Sequence, residues 1–161
     1  MTEQAPDSGS LLRFATHLFP AGNDLTLIIL KGHLLLEEEL NARLREIALR
    51  PQALQEARLR FHALSRVCMA FLYGANSAEQ WFWSAIASLN SIRNDLAHHL
   101  DPPQLETKID AMLQALERDV PSGLFASSGS RADRTRQALA FLYGVAQGMR
   151  KKQKSGAAHG G

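Results

Sequence analysis

Ser91-Ile-Arg-Asn-Asp-Leu-Ala-His-His-Leu100 is followed at once by Asp101-Pro102-Pro103. Upstream of it the apolar positions Trp81, Ala85, Leu89, Ile92 and Leu96 step by three and four, which is the period of a helix burying one face. Proline cannot continue a helix and restrains the residue before it, so the helix is expected to end before Pro102. On the same helix Asn90, Asn94 and His98 step by four and share one polar stripe. The segment therefore reads as an amphipathic helix with a core face and a separate polar face near its C-terminal end.

Working outward, the rest of the chain repeats the helical pattern. Asn23 or Asp24 is the expected cap of a long helix reaching about residue 49. Ile29, Leu36, Leu40, Leu44 and Ile47 form its stripe. Gly32 lies inside that helix, where glycine costs stability, and it leaves room for a neighbouring helix to approach. Pro51 suits a first turn. The next helix is expected to run from there through Leu54, Phe61, Leu64, Val67, Cys68 and Phe71 to Tyr73, with Gly74 as its stop. Asn76 or Ser77 caps the helix carrying the quoted segment. Ile109, Met112, Leu113 and Leu116 mark a helix over residues 104–119, and another follows over 132–150. Residues 11–19 suggest a short helix closed by Pro20-Ala21-Gly22. The pentapeptide Ala70-Phe-Leu-Tyr-Gly74 recurs as Ala140-Phe-Leu-Tyr-Gly144. That is too short for a repeat architecture and reads as two similar packing faces. The expectation is an all-α, up-down bundle of five to six helices without a strand. A loose arm occupies residues 1–9, the main bundle 10–120, a Ser/Gly loop 121–130, an additional C-terminal helix 131–150, and a disordered basic tail 151–161.

Composition sets limits. With 161 residues, 45% hydrophobic and 21% charged, the chain fits one domain with one core. No apolar stretch approaches the length of a membrane span, and the first ten residues lack the basic start and apolar run of a secretory signal. The expectation is a cytoplasmic protein that does not enter a membrane. The single cysteine, Cys68, forms no internal disulfide. It sits among Val67, Met69 and Phe71 as a buried thiol rather than a nucleophile. No Cys cluster suggests zinc, and adjacent histidines on a helix point about 100° apart, so no metal or cofactor is expected. No phosphate-cradling glycine-rich loop is present. Net charge is +2, and the excess of base is local. Arg150, Lys151, Lys152 and Lys154 form a candidate non-specific nucleic-acid contact whose strength would fall with salt. Trp81, Phe82 and Trp83 offer stacking surfaces, although three consecutive aromatics must face different sides. Glu37, Glu38 and Glu39 read as a solvated helix edge with Lys31, Arg43 and Arg45 nearby, and His17, His33 and His62 as scattered surface or satisfied histidines.

The pattern Arg93-Asn94-x-x-x-His98, with His99 one position further, resembles the HEPN superfamily. These are helical bundles marked by an Arg, a polar residue and a His four to six positions on. The upstream Lys31-Gly-His-Leu-Leu-Leu-Glu-Glu-Glu-Leu40 is similar to the mannitol operon repressor branch of that group. The resemblance covers roughly residues 24–119. It implies a metal-independent endoribonuclease whose two motif copies meet in a homodimer, a possible toxin or defence component. The implied partners are an RNA substrate and an antitoxin or regulatory protein. Other members are non-catalytic regulatory modules, and fold alone does not choose between these.

Residue chemistry is compatible with the first. RNA carries its own nucleophile, the 2′-hydroxyl. An imidazole at His98 transfers protons near neutral pH, the Arg93 guanidinium forks onto a phosphate, and Asn94 and His99 are supporting residues. On an ideal helix, however, Arg93 and His98 lie about 140° apart. Either the helix loosens before His98, or a second subunit supplies a partner across a two-fold dimer burying this helix end. The same residues serve equally as a solvated helix terminus, where positive side chains suit the dipole.

Overall fold

The computed structural model describes residues 22–73 and 80–151. The expected arm, the short helix over 11–19, the caps Asn76 and Ser77, and Lys152 and Lys154 lie outside the described residues. Among the described residues six helices occur in order: α1 Leu25–Ile47, α2 Pro51–Ala57, α3 Phe61–Phe71, α4 Gln80–His98, α5 Leu105–Asp119 and α6 Arg131–Gly148. The fold is an all-α helical bundle, as the periodicity indicates. No helix among the described residues is long and apolar enough to cross a membrane.

The apolar stripes converge. Ile29, Leu36 and Leu40 of α1 meet Leu64 of α3, Phe82, Ile86, Leu89 and Ile92 of α4, and Leu139 and Leu142 of α6, all essentially inaccessible to solvent. α1 touches α3, α4 and α6, while α5 bridges α4 and α6. The α1–α6 pair is the most extensive, so the C-terminal helix belongs to the same core. Gly32 permits that pairing, because a Cβ there would stand 2.5 Å from Leu139 Cδ1. Asp24 caps α1 by accepting from the Leu27 N–H at 3.0 Å. Ser130 and Asp133 form a reciprocal capping box on α6. Arg131 grips Asp110 through two bonds of 2.9 and 3.0 Å, tying α6 to α5.

Two expectations need correction. The helix expected over 51–73 is divided: α2 buries no residue, and Arg58 closes it in the left-handed conformation at φ 46°. One turn on from Leu54 the chain offers Ala57 and Arg58, and Leu59 packs on the core from off that line, so no continuous core face holds these turns in line. The absence of strand is not complete either. Leu72–Tyr73 (β1) leaves the helix two residues before Gly74 and pairs antiparallel with Arg150–Lys151 (β2), Leu72 facing Lys151 and Tyr73 facing Arg150. Leu72 is buried, and this pairing satisfies backbone groups that a continued helix would otherwise occupy. The aromatic run divides between sides, as three consecutive positions on a helix must. Phe82 and Trp83 are in the core. Trp81 stacks on Phe141 at 5.5 Å, which in turn stacks on Phe125 at 4.9 Å.

Candidate functional site

The last two turns of α4 turn their polar stripe outward. Asn90 is half-buried, while Arg93, Asn94 and His98 are exposed. All four border a cavity of about 590 Å³, whose other walls are His33 and Glu37 of α1 and the start of α3 at Arg60, Phe61 and His62. The expected Arg93, Asn94 and His98 are thus brought together on one cavity, and His99 does not border it. Arg150 and Lys151 form β2 beside the C-terminal end of α3, whereas the cavity touches its N-terminal end; the helix between them is about 16 Å long.

Helix α4 does not loosen before His98. It runs through that residue, and the His99 N–H still donates to the Asp95 carbonyl at 3.0 Å. The proline effect begins at Asp101, next to Pro102, and does not reach back to His98. An ion pair between Asp95 and Lys108 of α5 holds this helix end in place. Arg93 and His98 therefore stand about 7.5 Å apart along the axis. They border the same space because the cavity is wide, not because the helix unwinds. Arg93 Nη1 donates to the neighbouring Asn94 Oδ1 at 3.4 Å.

The floor was not foreseen. His33 occupies the core-facing stripe of α1 between Ile29 and Leu36 and is buried. Its ring packs on Phe61, with centroids 4.0 Å apart. Nε2 lies 3.4 Å from Asn90 Oδ1. An amide oxygen only accepts, so Nε2 carries the hydrogen. Burial pushes the His33 imidazole down to about 4; the Asn90 hydrogen bond opposes this and the positive charge of Arg93 adds to it. The ring is consequently neutral at neutral pH. Glu37 Oε2 lies 3.9 Å from His33 Nδ1. Burial raises the Glu37 carboxyl above its usual range, against the pull of Arg93 and with a contribution from Glu38.

The acidic run is therefore not one solvated edge. Glu37 enters the cavity, and Glu39 is buried, its Oε1 2.9 Å from Arg43 Nε. Cys68 behaves as its sequence suggests: buried, its Sγ donating to the Leu40 carbonyl at 3.6 Å, its thiol pushed up by burial to about 12. Among the described residues no three His, Cys, Asp or Glu side chains are grouped so as to hold a metal.

A polar ring inside an apolar stripe was the signal for His33. Nothing in the spacing of Arg60 and His62 foretells their approach to α4, because only the turn at Arg58 brings the start of α3 there. The resulting space offers two guanidinium groups, Arg60 and Arg93, and two exposed imidazoles, His62 and His98, against one carboxylate, Glu37. Such a set suits a phosphate flanked by groups able to move protons. The chain matches no protein-family model, no curated protein and no solved structure.

Proposed function

We propose that the chain is a HEPN-like, metal-independent endoribonuclease acting as a homodimer. The observation that carries this reading is the shared cavity of Arg93, Asn94 and His98, joined there by Arg60 and His62. The 2′-hydroxyl attacks the adjacent phosphorus. Arg93 holds the non-bridging oxygens and offsets the charge that grows on them. Asn94 orients the phosphate, and His98 transfers a proton. The products are a 2′,3′-cyclic phosphate and a 5′-hydroxyl, so DNA, which lacks the nucleophile, is not cleaved.

The test incubates pure protein with mixed single-stranded RNA, with and without EDTA, beside the His98→Ala and Arg93→Ala chains. The expected result is EDTA-resistant cleavage that each substitution reduces by ~10²-fold or more, with helicity unchanged because both side chains are exposed. Equal cleavage by the His98→Ala chain would assign the activity to a contaminant. One observation favours the second reading, a non-catalytic regulatory module: the Glu37 carboxyl borders the cavity and, when ionised, repels a phosphate. Absence of cleavage by the parent chain would favour that module.

A further inference from the structure

We infer that His62 is a second catalytic residue of this site, taking the 2′-hydroxyl proton while His98 of the same chain protonates the leaving 5′-oxygen. This rests on the endoribonuclease reading and goes beyond it by completing the proton-transfer pair within one subunit.

Stereochemistry creates the need. In an in-line displacement at phosphorus the entering 2′-oxygen and the departing 5′-oxygen occupy opposite apices. One imidazole on α4 cannot reach both at once. His33 cannot be the second group, since it is buried and its Nε2 is bound to Asn90. His62 meets the requirement: it is exposed, and it borders the cavity from α3, a different wall from that of His98.

His62 is the second residue of α3, and His98 is the last residue of α4. The division with His62 as base and His98 as acid is the one that the sulfur substrate below tests. As His62 takes the proton, the 2′-oxygen forms its bond to phosphorus. As the His98 imidazolium gives its proton to the 5′-oxygen, the phosphorus–oxygen bond breaks. His62 leaves the step protonated and His98 neutral, and exchange with water restores both. The other charged groups facing this pair are Arg60 beside His62, Arg93 on α4 and Glu37 on α1. The two arginines bind the non-bridging oxygens, and Glu37 faces Arg93.

The test uses a single-stranded RNA oligonucleotide with a mapped cleavage site, and the same oligonucleotide with sulfur replacing the bridging 5′-oxygen. A thiolate departs without needing a proton. On the oxygen substrate His62→Ala and His98→Ala are each expected to lose ~10²-fold or more. On the sulfur substrate His98→Ala recovers to within about tenfold of the parent, and His62→Ala does not. His62→Gln, which keeps a polar side chain at an exposed position, is expected to behave as His62→Ala. A His62→Ala chain that cleaves as fast as the parent overturns the inference while the endoribonuclease reading stands. Sulfur rescue of His62→Ala, or no rescue of His98→Ala, overturns the division of roles. A parent chain that leaves the RNA intact removes both readings.

Discussion

His33 makes the stability of this protein dependent on pH in a way that a single substitution isolates. Its imidazole, ordinarily at 6.5, is held at about 4 by burial. Above pH 6.5 the ring is neutral in both folded and unfolded chains and contributes no pH dependence. Below it, the unfolded chain binds a proton that the folded chain refuses, so stability falls as pH falls, and the loss is complete near pH 4. That displacement corresponds to roughly 3 kcal/mol. In urea, where slopes are about 1–3 kcal/mol/M for small proteins, the unfolding midpoint should drop by roughly 1–3 M. Glu37 contributes with the opposite sign, because its raised carboxyl is more easily protonated in the folded chain. Comparison with His33→Gln, which keeps a donor for Asn90 but does not titrate, removes that contribution, since both chains retain Glu37. The expected result is a gap between the two stability curves that opens between pH 6.5 and 4 in favour of His33→Gln. Parallel curves across that window would refute the reasoning.

Further outcomes are equally specific. Gly32→Ala places a Cβ 2.5 Å from the buried Leu139 Cδ1; overpacking of about 1–3 kcal/mol outweighs a helix gain of about 1 kcal/mol, so urea unfolding should show a net loss. In a Leu139→Ala background the same change should stabilise, and a double-mutant cycle reads the reversal. His99→Ala should cost less than about threefold in RNA cleavage where His98→Ala costs ~10²-fold or more, because His99 does not border the cavity; equal losses would contradict the assignment. Cys68, buried with its thiol raised to about 12, should be inert to a thiol-specific reagent at mildly alkaline pH and react fully in denaturant.

Much of this was legible in the sequence because it depends on local periodicity. The stripes of α1, α4 and α5, the Asp24 cap and the close approach at Gly32 follow from spacing and residue type alone. Asn90, Asn94 and His98 share a face for the same reason. What remained hidden depends on tertiary placement. The left-handed Arg58 is not a glycine, so nothing marked the break that starts α3 at the cavity. Arg60 and His62 share a cavity with α4 because the turn at Arg58 starts α3 there and α3 packs on α1 and α4. Leu72 and Tyr73 extend the helical pattern of α3 without interruption, and only partners from the far side of α6 draw them into a strand pair. The Glu37-Glu38-Glu39 run looks uniformly polar, yet a helix turns consecutive residues about 100° apart. Glu39 is therefore buried, Glu37 borders the cavity, and only Glu38 is fully exposed.

The α1–α6 pairing also has a consequence for how the chain is made. A ribosome working at ~5–20 residues per second needs roughly 5–20 s between releasing Gly32 and releasing Leu139. During that interval the stripe of Ile29, Leu36 and Leu40 lacks the helix that covers it most extensively. His33 and Glu37 are carried on α1, which meets α3 and α4 before its largest packing partner exists. The α1–α6 pair is thereby postponed until α6 has been made, and a message cut short before Arg131 yields a polypeptide that holds every cavity residue without the helix that packs most extensively on α1.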